Sequence, residues 1–192
     1  MKRKPSKNWH ASRACAKSNM LLVFTGDGKG KTTAALGNAL RLLGAGKQAL
    51  MVQFIKGPWE SGEHKSVVRL NPDFKIIRTG KGFVGILGDN LPIAEHQRAA
   101  DEGFAVARRE IASGKYHLLI LDEVHNAVSL KLASLSFLLA FLDYAKDKVE
   151  YIITTGRDAP EEVLNRADLV TEMKDIKHPL RKGELAKKGL DF

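Results

Sequence analysis

The densest concentration of chemistry in the sequence is the run Thr25-Gly26-Asp27-Gly28-Lys29-Gly30-Lys31-Thr32-Thr33. Gly30, Lys31 and Thr32 match the end of the phosphate-loop pattern G-x-x-x-x-G-K-[ST]. Its first glycine is replaced by Thr25, with a glycine one place later at Gly26. Glycines let a backbone curl so that successive N–H groups turn toward an anion, and a following helix adds its positive N-terminal end. Lys31 supplies a point charge for phosphate oxygens, and the Thr32 hydroxyl suits magnesium. A Gly/Lys-rich surface turn is the plain alternative. Context decides against it, because an apolar strand-like run precedes the motif and a helix-like segment follows.

Leu118-Leu119-Ile120-Leu121-Asp122-Glu123 is the expected partner, an apolar strand that ends in carboxylates. Such acids hold magnesium directly or through water beside bound phosphates. The two motifs together predict a nucleoside triphosphate with magnesium as the ligand. Arg157, beside Gly156 after another strand-like run, is either a phosphate contact at the same sheet edge or a surface arginine; spacing leaves both open. His64, His96, His117, His125 and His178 show no metal-ligand spacing, and no triad pattern or side-chain nucleophile is evident.

The elements that must position these groups alternate in type. Strands are predicted at residues 21–24, 49–54, 74–77, 117–121, 151–154 and 169–173. Helices are predicted at 32–43, 93–113 and 130–146, with another starting at Asp158. The 130–146 helix rests on the stripe Leu132, Leu135, Leu139 and Leu142. Residues 78–92 hold Gly80, Gly82, Gly85, Gly88 and Pro92, the composition of a long binding loop. The pattern implies an α/β fold of the P-loop NTPase (RecA-like) kind, with a mainly parallel sheet flanked by helices. Segments 25–33, 122–126 and 155–157 all follow strand ends, where ligands of such sheets bind.

At 192 residues, 44% hydrophobic and 28% charged, the chain suits one globular domain. No run approaches the roughly 20 apolar residues of a membrane span, and no secretory leader is evident, so the expectation is a cytoplasmic protein without membrane contact. Cys15, the single cysteine, excludes an intrachain disulfide. Of the net charge of +9, six units lie in residues 1–20, which contain no acid, leaving +3 for the rest. This is a basic tail on a domain spanning 21–192 rather than a nucleic-acid surface.

From about residue 21 to its end, the chain resembles the CobA-type cob(I)alamin adenosyltransferases (ATP:corrinoid adenosyltransferases). The likeness is carried by the phosphate loop through Ala35, by Val52-Gln53-Phe54-Ile55-Lys56-Gly57 with Trp59, Gly62 and Glu63, and by Gly82-Phe83. It continues through Leu121-Asp122-Glu123, Thr155-Gly156-Arg157, residues 168–173, Lys177-His178-Pro179, Gly189 and Phe192. The resemblance implies transfer of the 5′-deoxyadenosyl group of ATP to cobalt(I) of a corrinoid, releasing triphosphate, in adenosylcobalamin synthesis or salvage. It further implies Lys31, Glu123 and Arg157 in catalysis, residues 26–33 (Gly26, Asp27, Gly28, Lys29, Gly30, Lys31, Thr32 and Thr33) around the triphosphate, and Thr32 with Glu123 beside magnesium. Phe83 would lie against the corrinoid. A tryptophan found two residues later in many relatives is Gly85 here, with Ile86 or Leu87 left to fill the space. An electron donor and a homodimer, with an N-terminal segment over the corrinoid, complete the implied picture. Two rivals remain: phosphoryl transfer by a RecA-like ATPase or nucleoside kinase, and a nucleotide-dependent corrinoid carrier without turnover.

Overall fold

The computed structural model describes residues 19–57, 60–82, 84–85 and 89–190. Six strands form one sheet: β1 (Met20–Thr25), β2 (Ala49–Gln53), β3 (Phe74–Arg78), β4 (Leu118–Asp122), β5 (Tyr151–Thr155) and β6 (Leu169–Glu172). Their order is β3-β2-β4-β5-β1-β6, and every pairing is parallel. The helices are α1 (Lys31–Gly44), α2 (Gly62–Val67), α3 (Ile93–Ile111), α4 (Val124–Ser129), α5 (Leu135–Lys146) and α6 (Glu161–Leu164).

The central strands read as continuous apolar runs because both of their faces are covered. Alternation sends Leu50, Val52, Leu119, Leu121 and Ile152 to one core. Ala49, Met51, Leu118, Ile120 and Ile153 go to the other. The first core is closed by α3 and α5, with Ala100, Phe104, Ala107 and Ile111 of α3 at helical spacing. Ala35 and Ala39 of α1 pack into the second. Their small side chains let that helix lie close to the sheet.

All six predicted strands form, within a residue or two at each end. The predicted 130–146 helix forms only from Leu135, and a short helix that was not predicted precedes it. Residues 124–129 make α4, which ends where Leu130 N–H bonds Asn126 O at 2.9 Å, and Lys131 takes φ 59°. The chain restarts at α5, where the Ser134 hydroxyl accepts from Phe137 N–H. Leu132 is buried from the intervening turn, so the leucine spacing records burial rather than a continuous helix. The helix expected from Asp158 begins at Glu161, because Asp158 sits at φ 51° and Pro160 sets the helix start. Helix α2 was not predicted: six residues, GEHKSV, with none buried, carry no apolar period. The predicted tail lies outside the described residues up to position 18, and β1 takes up Met20.

Phe104 is 1% exposed and meets the rings of Phe54, Phe137 and Phe141 at centroid distances of 4.7, 5.0 and 5.2 Å. Truncating it with Phe104→Ala is expected to lower unfolding free energy by about 3–5 kcal/mol. Denaturant titration of the variant against the parent protein measures this; a loss below ~1 kcal/mol would contradict the packing described.

Candidate functional site

Strand alternation builds the site before any ligand is considered. Gln53, Asp122 and Thr155 end β2, β4 and β5, and each is an even number of residues beyond a side chain of the α1-facing core. Register places Gln53 opposite Asp122 and Leu121 opposite Thr154. Thr32 lies three residues before Ala35, on the face that α1 turns to the same sheet edge. Four side chains therefore meet. The fully buried Asp122 accepts from Thr32 Oγ1 (2.9 Å) and Thr155 Oγ1 (2.7 Å) at Oδ1, and from Gln53 Nε2 (3.0 Å) at Oδ2. Burial pushes its pKa up, with the hydrogen bonds from Thr155, Gln53 and Thr32 opposing.

The phosphate loop runs from β1 into α1. Gly26 and Gly30 take φ 95° and 109°, the left-handed region that favours glycine. At Gly26 and Gly28 a Cβ would stand 2.5 and 2.7 Å from Met173 O, so both glycines also admit the chain that follows β6. Gly28 N–H donates to that same carbonyl at 2.7 Å, and is thus turned outward rather than into the loop. The Lys31 ammonium lies within the loop and donates to Gly26 O (2.6 Å) and Gly28 O (2.7 Å), leaving one N–H for another acceptor. Burial and then the nearby Arg157 hold its pKa below the usual lysine value, with Asp27 and Glu123 opposing. Thr25, the departure from the motif, has a task of its own: its hydroxyl accepts from Ala159 N–H at 3.2 Å and ties the turn after β5 to the loop.

That turn carries Arg157. Its N–H donates to Asn126 Oδ1 at 3.0 Å, and its Nε stands 4.0 Å from Asp27 Oδ1 at the mouth of the loop. Glu123 precedes α4 at φ 61°, a left-handed position uncommon for a side chain of this size, and its N–H donates to Thr155 Oγ1 at 2.8 Å. Burial, followed by the Asp122 carboxylate, pushes Glu123 up to about 7, against the pull of Lys56, Lys31 and Arg157. The loop, Glu123, α1 and α2 enclose a cleft of about 840 Å³. Lys56 and Glu63 line it as an ion pair, and Gly189 and Leu190 reach it from the far end of the chain. Burial would raise Glu63, but hydrogen bonds from Lys56 and Ser61 outweigh it and hold the group at about 2.

The Gly-rich loop after β3 starts beside this site. Gly80 N–H bonds Gln53 O at 3.2 Å, Gly82 N–H bonds Ile55 O at 3.0 Å, and a Cβ on Gly80 would strike Ile55 C at 2.4 Å. Farther along, Asp89 accepts from Gly85 N–H (2.8 Å) and Leu91 N–H (3.1 Å) and pairs with His96 Nε2 (3.0 Å). Phe83, Ile86 and Leu87 lie outside the described residues, as does Trp59.

Of the residues singled out from sequence, Lys31, Thr32, Glu123 and Arg157 converge at one sheet edge, with the loop glycines beneath them. Thr32 bonds Asp122, the buried acid of the motif, while Glu123 lies on the cleft lining. Gln53 and Thr155 were not assigned roles, and only register could have shown them. Among the described residues no group of three His, Cys, Asp or Glu side chains forms a metal cage. The oxygens of Thr32, Asp122 and Glu123 instead fit a hard cation that keeps phosphate and water ligands, as magnesium does.

The family model described as ATP:corrinoid adenosyltransferase BtuR/CobO/CobP matches residues 17–192. The chain is 33% identical over 173 residues to the corrinoid adenosyltransferase of Escherichia coli K12, covering 90% of this chain and 85% of that protein. It is 32% identical over 186 residues to corrinoid adenosyltransferase CobA of Salmonella typhimurium, covering 94% and 89%. The flagellar accessory protein FlaH of Methanocaldococcus jannaschii shares the fold, with TM-score 0.51 and 14% identity over 81% of this chain and 70% of that one.

The raised pKa of Glu123 has a signed consequence for stability. Between its ordinary 4.5 and about 7, the folded protein keeps a proton that the unfolded chain has released. Folding stability from this group therefore falls as pH rises through that window and is level above it. Glu123→Gln removes the effect, so at about pH 8 the variant should be more stable than the parent by on the order of 2 kcal/mol, with the difference closing below about pH 4.5. Thermal or denaturant unfolding across this range checks it; a variant that is less stable at high pH would contradict it.

Proposed function

The chain belongs to the ATP:corrinoid adenosyltransferase family, and from that premise we propose that it transfers the 5′-deoxyadenosyl group of ATP to the cobalt of a reduced corrinoid. Triphosphate is the second product, and the reaction serves adenosylcobalamin synthesis or salvage. The reading rests chiefly on one observation: the Lys31 ammonium sits inside the glycine loop while Thr32 is held against Asp122 at the edge of the same cleft. A triphosphate is the ligand whose charge and length match that arrangement.

In this mechanism cobalt(I) is the nucleophile, so the protein need supply none. The cobalt electron pair forms a bond to C5′ of the ribose. The bond from C5′ to the α-phosphate oxygen breaks, and its electrons leave on the triphosphate. Charge thus grows on the leaving group. Lys31, Arg157 and the inward N–H groups of the loop neutralise it, and the rigid loop fixes C5′ toward the corrinoid. Thr32 with Asp122 or Glu123 would hold magnesium, which would supply further neutralisation of the triphosphate. Lys31 exchanges its bonds to Gly26 and Gly28 for phosphate oxygens. The family resemblance assigns position 83 to the corrinoid side of the site, and Asp89 anchors described residues Gly85 and Leu91 of the same loop.

The proposal extends to an external electron donor that keeps the cobalt reduced, to a homodimer and to a cytoplasmic setting. No helix among the described residues is long and apolar enough to cross a membrane.

With ATP, magnesium and a chemically reduced cobalamin, the protein should produce the absorbance change of a cobalt–carbon bond and one triphosphate per bond formed. Lys31→Ala should lower kcat by roughly 10²–10³. ADP with phosphate as products, and no cobalt–carbon bond, would assign the site to phosphoryl transfer. Stoichiometric binding without product would assign it to a carrier.

A further inference from the structure

A chain of hydrogen bonds runs from the cleft wall to Asp122, and each link has a direction. Ser61, just before α2, has a backbone N–H that can only donate, and it points at His64 Nδ1 at 3.0 Å. Nδ1 therefore carries no proton, and the ring holds its hydrogen on Nε2. Nε2 stands 2.7 Å from Gln53 Oε1, so the imidazole donates to the amide oxygen. This fixes which way the Gln53 amide faces. Its Nε2 must then point the other way, at Asp122 Oδ2, 3.0 Å distant. The opposite oxygen of Asp122 receives Thr32 and Thr155.

The start of the chain belongs to the cleft. Ser61 Oγ lies 3.2 Å from His64 Nδ1 and 3.3 Å from Lys56 Nζ, and Lys56 pairs with Glu63 on the cleft lining. Ser61 is 5% exposed and sits before the first turn of α2, so the Ser61–His64 contact is a helix cap rather than a nucleophile with its base. Gln53 is wholly buried, so water has no access with which to replace either of its partners. A neutral histidine at this place caps α2 through Nδ1 and, through Nε2, orients the amide behind it.

We infer that His64 is a positioning residue for this site: acting through Gln53, it sets the Asp122 carboxylate against Thr32, so that the wall of the cleft and the phosphate loop present one preset pair of oxygens to the metal of the bound nucleotide. The inference rests on the proposed reading of Thr32 and Asp122 as magnesium neighbours. His64 touches neither nucleotide nor metal in this role. Its effect falls on metal-dependent affinity, as with other partners that orient metal ligands from behind.

The test compares binding of ATP with magnesium and ATP with a chelator, by calorimetry, for His64→Leu, Gln53→Leu, the double variant and Asp122→Asn. Each single relay variant should weaken magnesium–ATP binding by about 10-fold or more, while leaving chelated ATP within about twofold of the parent value. The double variant should be no weaker than the worse single one, since both cut the same chain. Equal loss with and without metal would reduce His64 to a structural role and overturn the inference, as would parental affinity in both conditions. If Asp122→Asn weakens magnesium–ATP binding and His64→Leu does not, only the relay falls. If Asp122→Asn also has no effect, the reading of Asp122 as a magnesium neighbour falls, and the inference with it. Should the variants fail to fold, nitrogen-15 NMR of histidine in the parent protein answers instead. The expected result is the Nε2–H tautomer of His64, with its signal moved by magnesium–ATP and not by chelated ATP. An Nδ1–H tautomer would overturn the inference.

Discussion

A carboxylate removed from water must be met by donors, and Asp122 is met by three from three different elements. Thr32 opens α1, Gln53 closes β2 and Thr155 closes β5, while the acid itself closes β4. None of these positions is adjacent in sequence. They meet because the parallel register aligns the strand ends and because alternation turns all three strand residues to the α1 face. The hydrogen-bonded group is therefore a lock on how the phosphate loop sits over the sheet. Removing a donor leaves a buried charge underserved, and removing the acid leaves two buried donors, Gln53 and Thr155, and the half-buried Thr32 to find other partners.

The remaining parts of the site are fixed by the same kind of crossing contact. Thr25 replaces the first motif glycine and uses its hydroxyl on Ala159 N–H, which secures the turn that carries Arg157. Asn126 holds the Arg157 N–H from α4, and a Cβ on Gly156 would stand 2.6 Å from its Oδ1, so only glycine permits that approach. Met173, just beyond β6, bonds Gly28 and presses on the loop from outside. The cationic groups thus arrive at the loop separately, Lys31 from α1 and Arg157 from the turn after β5. Such a frame can hold a polyanion whose charge increases during the reaction without needing to rearrange.

Much of this was legible in the sequence, for definable reasons. Buried parallel strands announce themselves as apolar runs, and the glycine-lysine motif has a required context that the sequence displayed. What the sequence could not display is register. Gln53 and Thr155 look like any polar residue at a strand end until the pairing puts them beside Asp122. Between two adjacent acids the motif leaves both open; the structure gives Asp122 the strand parity that faces Thr32, and gives Glu123, at φ 61° just beyond the strand, a place in the cleft lining. The start of α5 at Leu135 was hidden because Leu132 is buried from the preceding turn, at a spacing a helix would also produce. Helix α2 is too short and too polar to show a period, yet it brings Gly62, Glu63 and Ser66 to the cleft and sets His64 against Gln53.

The account turns on which bond of ATP this frame is built to break. ATP carrying oxygen-18 in the bridge between C5′ and the α-phosphorus separates the possibilities in one turnover experiment with reduced cobalamin. Mass spectrometry of the released phosphates should find the label in inorganic triphosphate, because the carbon–oxygen bond is the one that parts. Label retained in ADP, with unlabelled phosphate released, would mean that a phosphorus–oxygen bond is cleaved at the far end of the chain, and would contradict the account.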